Sequence, residues 1–288
     1  ADTAVVFVGG RVVFTSTRGG SADLWTVDPE APERLRQVTR DPGTETNGSF
    51  APDGSSIVYV ANPDGHFDVY MVNADGSDPR RLTFTPETEL TPRFTRDGRA
   101  VLYSAPPAGG GRSQIWIMAL DGSAPRQLTT GNATSIEPTP SPDGRSIAFT
   151  STRDGNYQIY VMDLDGGAVR RAHVSQLKET RPAWFPNGDL AYVQERGDGG
   201  RIASVVMRLP ALGGEPVALT PAALAVTDFA ISPSGSLLVL EVSAFGSGGS
   251  LVTRLVAFPL DGQPAFDIPR RDDAELQSRP AFRPPAHP

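Results

Sequence analysis

Ser141-Pro-Asp-Gly144, then Ile147-Ala-Phe-Thr150, then Gln158-Ile-Tyr-Val-Met-Asp163 closed by Asp165-Gly166: the recurrence of this stretch decides the fold. The copy before it reads Arg96-Asp-Gly98, Val101-Leu-Tyr-Ser104, Gln114-Ile-Trp-Ile-Met118, Asp121-Gly122 and Arg126-Gln-Leu-Thr129. Earlier still stand Ala51-Pro-Asp-Gly54, Ile57-Val-Tyr-Val60, Asp68-Val-Tyr-Met71, Asp75-Gly76 and Arg81-Leu-Thr83. Later copies are more worn. Pro186-Asn-Gly188 leads to Leu190-Ala-Tyr-Val193 and Ser204-Val-Val-Met207, and Pro233-Ser-Gly235 leads to Leu237-Leu-Val-Leu240 and Leu255-Val-Ala-Phe258. The first copy begins mid-phrase at Val12-Val-Phe-Thr15 and Asp23-Leu-Trp25, and its missing opening strand reappears in Ser278-Arg-Pro-Ala-Phe282.

Each run is short, rich in Val, Ile, Tyr, Phe and Thr, and bounded by Gly, Pro and Asp, which are strand and hairpin signals. The Asp-Gly pairs supply the positive φ that tight turns demand. Four strands in a repeat of about 45 residues make one small antiparallel sheet that cannot bury both faces alone, so such sheets pack radially around an axis. The sequence therefore predicts an all-β, six-bladed β-propeller of four-stranded antiparallel blades, closed by the C-terminal strand joining the N-terminal blade. One domain is expected over residues 1–288. Blade 1 takes about 11–40 plus 278–283, blade 2 about 46–84 and blade 3 about 90–130. Blade 4 takes about 135–175, blade 5 about 179–220 and blade 6 about 226–269. Thr3–Val8 is also strand-like, with its partner left open.

The quoted phrases resemble the propeller domain of the TolB-like family, with its Pro-Asp-Gly variant of the WD-like repeat. Phe149-Thr-Ser-Thr-Arg-Asp-Gly155 followed by Gln158–Asp163 carries the resemblance best, and Phe14-Thr-Ser-Thr-Arg-Gly-Gly20 followed by Asp23-Leu-Trp25 nearly as well. The resemblance implies a stand-alone propeller, because neither the N-terminal α/β domain of TolB nor the catalytic domain of prolyl-oligopeptidase-like hydrolases has room here. It implies a non-catalytic module of the bacterial cell envelope, periplasmic or extracellular, that binds a protein or peptide partner and acts as a monomer. Fold alone does not imply function.

Composition narrows the rest. A net charge of −7 lacks the basic face that phosphate binding needs, so nucleic acid is not an expected partner. With no cysteine, disulfides, thiolate zinc sites and cysteine nucleophiles are excluded. No apolar run is long enough for a membrane helix. A Ser-His-Asp triad needs a histidine base, and only His66, His173 and His287 exist, none beside a Gly-x-Ser-x-Gly elbow. No catalytic residue is assigned. The repeated aspartates Asp53, Asp75, Asp97, Asp121, Asp143 and Asp165 read as turn residues rather than metal ligands.

The candidate site lies at the start of the inner strands, which line the channel of a propeller. The residue before the repeated Pro, or its equivalent, is Asn47, Thr91, Glu137, Arg181, Asp228 and Arg279. Two positions earlier stand Glu45, Glu89, Ser135, Glu179, Val226 and Gln277. Period-2 alternation points both sets into the channel. The mouth is then expected to carry Glu45, Glu89, Glu137, Glu179 and Asp228 facing Arg181 and Arg279. Two readings stand: a solvated, self-neutralising ring, or a site for a cation, a peptide terminus or another polar ligand. No cofactor is expected, a channel cation such as calcium on Glu45, Glu89, Glu137 and Glu179 being the one candidate. An enzyme or small-ligand receptor using these carboxylates is the alternative function. Trp25, Tyr70, Trp116 and Tyr160 share one repeat position and read as inter-blade core, as does Trp184. Ala105–Arg112 and Gly246–Ser250 read as Gly-rich excursions.

Overall fold

In a computed structural model the described residues are 10–29, 31–198, 201–211, 213–245, 251–268 and 277–282. Thr3–Val8, His287 and the Gly246–Ser250 stretch lie outside them. Twenty-four strands form six four-stranded antiparallel sheets, a six-bladed β-propeller. Blade 2 shows the plan: β4 (Glu45–Phe50) innermost, then β5 (Ser56–Ala61), β6 (Asp68–Asn73) and the edge β7 (Arg80–Arg81). Blade 1 joins β1 (Val12–Ser16), β2 (Asp23–Asp28) and β3 (Ala31–Gln37) to β24 (Gln277–Phe282), which pairs antiparallel with β1 as its inner strand. Each inner strand contacts the next around the axis, and β24 contacts both β20 (Val226–Ile231) and β4, so the ring is closed.

The burial pattern follows from radial packing. A strand covered on both faces has no solvent side, so it reads as a continuous apolar run rather than an alternating one. Second strands show this: Ser56–Ala61 and Ser146–Ser151 are buried at every position after the first. The core divides by blade boundary. Val13 and Leu24 of blade 1 meet Phe50, Ile57 and Tyr59 of blade 2, while Val12, Phe14 and Val27 meet Val239 and Leu255 of blade 6. Each of these side chains gains about 1.5–3 kcal/mol from burial, with Ile57 and Tyr59 fully covered. In blades 2, 3 and 4 the outer edges are only two residues long and charged, Arg80–Arg81, Arg126–Gln127 and Arg170–Arg171, which discourages pairing with another chain.

The repeated aspartates act in turns. Oδ1 of Asp53, Asp75, Asp97, Asp121, Asp143 and Asp165 accepts a bond from the backbone N–H two residues on. Hydroxyl bonds from Ser77, Thr95, Ser123 and Ser141 first, and these backbone bonds next, favour the charged form and hold Asp75, Asp97, Asp121 and Asp143 below the usual carboxylate range. The following glycine takes a left-handed φ, +80° at Gly122, where a Cβ would sit 2.1 Å from the Leu82 carbonyl oxygen. Only glycine fits there.

Candidate functional site: the charged channel

Every inner strand slips register against its neighbour. The slip falls between Thr46 and Ser49, Leu90 and Arg93, Ile136 and Thr139, Thr180 and Ala183, and Val226 and Asp228, with a matching slip in blade 1 opposite Val13 and Thr15. At four of these bulges the residue before the repeated Pro or Gly is left-handed: Asn47 (φ 58°), Thr91 (51°), Glu137 (59°) and Arg181 (57°). A β-bulge places an extra residue on one strand and re-aims the side chains on either side of it. Period-2 alternation therefore fails at the position where it was used, and the two candidate sets part company.

Glu45, Glu89 and Glu179 are a correction to the expected ring. They are at most 1% exposed and turn into blade boundaries. Glu89 Oε2 accepts from Thr83 Oγ1 at 2.9 Å, and Thr83 Oγ1 also reaches Asp68 Oδ1 at 3.3 Å, both on the preceding blade. Arg81 closes the group with a 2.6 Å ion pair to Asp68. Burial raises the pKa of both Asp68 and Glu89 despite these partners. Glu179 Oε2 lies 3.0 Å from His173 Nε2, and its Oε1 accepts from Gln194 Nε2 at 3.1 Å. Glu45 faces Asp23 across the first boundary. Burial first, then the bond to Asp23 and its charge, push the Glu45 carboxyl up to about 8. As carboxylates, Asp23 Oδ1 and both Glu45 oxygens have no hydrogen-bond donor, and a proton shared by the pair supplies one. Ser135 and Val226, at the same repeat position, are also buried.

The pre-proline set stays at the axis. Glu137, Arg181 and Asp228, on the inner strands of blades 4, 5 and 6, form a charged chain. Arg181 Nη1 lies 3.1 Å from Glu137 Oε1 and 3.8 Å from Asp228 Oδ2. Glu137 Oε2 also accepts from the Arg181 backbone N–H at 2.8 Å and from Thr150 Oγ1 at 2.7 Å. Burial opposes the charge on Arg181, but Asp228, Glu137 and Glu241 outweigh it and hold the guanidinium above its ordinary pKa. The cluster borders a cavity of about 180 Å³ with Thr91 and Arg93. Thr91 Oγ1 shares a 2.8 Å bond with Ser104 Oγ, and Asn47 is buried at the equivalent place in blade 2. Arg279 takes the same backbone position in β24.

At the Pro-Asp-Gly end the channel widens to about 450 Å³, bordered by Arg93, Arg96, Thr139 and Trp184. Trp184 is half-buried against the core between blades 4 and 5, and its Nε1 donates to Thr139 O of the preceding blade at 3.2 Å. Sequence reasoning missed the bulge and with it Thr150, Glu241 and Arg93. The signal was present: Pro92, Pro138 and Pro182 stand inside strands, where proline marks an edge or a bulge.

Neither described histidine bonds a serine: His66 Nε2 lies 3.3 Å from Asp68 Oδ2, and His173 serves Glu179. Among the described residues, no group of three or more His, Asp or Glu side chains is placed to hold a metal ion, and Glu45, Glu89, Glu137 and Glu179 sit on four different blades. No helix among the described residues is long and apolar enough to cross a membrane.

A closed ring of this repeat, with polar groups at its axis, defines a propeller with a central site. The chain belongs to the TolB beta propeller domain family, whose sequence profile matches residues 7–110 and 107–284. TolB from Acinetobacter baumannii is 21% identical with a TM-score of 0.78, over 96% of this chain and 67% of that one. The putative TolB from Agrobacterium tumefaciens is 25% identical with a TM-score of 0.61, over 69% and 73%. A puromycin-hydrolyzing peptidase of Mycobacterium tuberculosis shares the fold at 17% identity and a TM-score of 0.61, over 92% of this chain but 44% of that one. No curated protein sequence matches significantly.

Proposed function

We propose that this propeller is a non-catalytic module that binds a protein or peptide at its channel, in the periplasm or on the surface of a bacterial cell. The observation that carries the reading is the Glu137–Arg181–Asp228 chain. Three charges from consecutive blades are fixed on bulges at the axis, with two carboxylates against one guanidinium. Such a cluster offers an extended polar ligand acceptors of fixed direction, and fixed charges confer specificity and orientation more than raw affinity. Membership of the TolB propeller family supports a protein partner.

The test is capture from an envelope extract of the source cell by wild type and by the Glu137→Gln, Asp228→Asn double variant. Both changes keep the shape and remove the negative charge. A partner held by wild type and lost by the variant supports the reading. A partner held equally by both moves the site to the outer faces. No partner at all, together with a melting temperature raised by calcium or a sugar acid, favours the small-ligand or enzymatic alternative.

A further inference from the structure

Three consecutive blade boundaries, 1–2, 2–3 and 3–4, share one plan, and the boundary between blades 4 and 5 departs from it. After its edge strand each blade places one apolar residue: Val38, Leu82, Leu128, Leu219 and Ile268 in five blades, but Ala172 in blade 4. In blades 2, 3 and 4 a turn glycine is seated against that residue of the preceding blade, whereas Gly262 of blade 6 has nothing within 4 Å. A Cβ on Gly76, Gly122 or Gly166 would lie 2.6, 2.1 or 2.9 Å from the carbonyl oxygen of Val38, Leu82 or Leu128. At two boundaries the edge-strand arginine also clasps the same turn, Arg36 Nη2 donating to Asp75 O and Arg126 Nη1 to Asp165 O, each at 2.8 Å.

Between blades 4 and 5 all three contacts are gone. Ala172 is the one small residue at its repeat position, and Gly213, the turn glycine of blade 5, has nothing within 4 Å. Arg170 stands where Arg36 and Arg126 stand, pairing with Val161 as Arg126 pairs with Ile117. It is exposed and forms no hydrogen bond or ion pair among the described residues. A cleft of about 890 Å³ lies at this boundary. Val161, Ala172, Leu190 and Leu209 floor it, Trp184 forms a wall, and Arg170 stands at the rim. That volume lies within the range of small-molecule sites, and an apolar floor with one or two directed polar groups is their usual construction. Asp143 is the acid on the lining, its Oδ1 already accepting from Ser141 Oγ at 2.5 Å and from the Arg145 N–H at 3.1 Å.

We infer that this cleft binds a small carboxylate carrying an aromatic or aliphatic ring. The ring lies on the floor against the Trp184 indole, which its bond to Thr139 O holds in place. The carboxylate takes the guanidinium that the inter-blade clasp has released, a charge-assisted and geometrically specific pairing. The cleft shares Trp184 with the channel but is not lined by Glu137, Arg181 or Asp228.

Calorimetric titration with 2-naphthoate tests it on wild type, Ala172→Leu and Arg170→Met. Wild type should bind with a sub-millimolar dissociation constant. Ala172→Leu restores the residue used at other boundaries, so its urea midpoint should hold or rise while binding disappears, which separates loss of the site from loss of the fold. Arg170→Met should weaken naphthoate by ~10-fold, the scale of one lost charge-assisted bond. The same change should leave neutral 2-naphthalenemethanol unaffected. No heat from wild type up to about 5 mM, near the weakest binding a cleft of this kind would give, overturns the site. Unchanged binding by Ala172→Leu also overturns it, and tighter binding of 2-naphthylmethylammonium than of naphthoate overturns the anion.

Discussion

Glu45→Gln should stabilise this protein at neutral and alkaline pH and hardly change it in acid. Glu45 is fully buried against Asp23 between blades 1 and 2. Burial, the bond to Asp23 and its charge raise its pKa from 4.5 to about 8. Between those values the folded protein holds a proton that the unfolded chain has released. The folded state then binds more protons, so stability is fully present below the unfolded value and falls as pH rises toward 8. Carried in full, the interval amounts to ~5 kcal/mol at 1.36 kcal/mol per pH unit. Local relaxation and water entry reduce such penalties, and ~2–3 kcal/mol is the working figure. Gln donates an N–H where the protonated acid donates an O–H, and it does not titrate. The repeat already uses an amide here: Gln114 replaces Asp23 in blade 3 and accepts from Thr129 Oγ1 at 2.8 Å. Urea unfolding of both proteins at about pH 5 and about pH 8 isolates the effect, because titrating groups that do not interact with Glu45 cancel in the difference. Near-equal stability at the lower pH and a gain of ~2–3 kcal/mol at the higher one are expected. An equal gain at both, or a gain confined to acid, would refute the shared proton.

Two other perturbations probe the ring. Gly122→Ala drives a methyl into the Leu82 carbonyl and should cost at least ~2 kcal/mol in urea unfolding, while Gly213→Ala, equally left-handed but without a neighbour, should cost only ~1 kcal/mol. Similar costs at both would deny the contact its role. Removing residues 277–288 strips β1 of its partner and leaves a fully buried strand as an open edge. Size-exclusion chromatography should then show concentration-dependent association, and a stable monomer would contradict closure by β24.

The fold was legible because a propeller writes each blade into the chain as the same phrase. Turn glycines, apolar second strands and the displaced opening strand all have local causes, so each shows in the residues themselves. The site was legible only in half. Glu137, Arg181 and Asp228 lie together as expected because position in the repeat maps onto the axis. Glu45, Glu89 and Glu179 were misplaced because alternation assumes an unbroken ladder, and the left-handed backbone of Asn47, Thr91 and Arg181, two positions on, breaks it. Pro92, Pro138 and Pro182 mark that break, and Gly48 replaces them in blade 2. The blade 4–5 cleft was not legible, since Ala172 is an ordinary residue until the other blades show what it lacks.

The pairing of β24 with β1 also sets a clock. About 260 residues separate Ser16 from Gln277, and at ordinary elongation rates their synthesis takes roughly 15–50 s. Throughout that time the first blade exists as three strands with a sticky flank, while the middle blades can already stack on one another. Among the six blades, the one made first is therefore the last to be completed. A holding chaperone that recognises Val12–Ser16 would protect it until the last strand emerges.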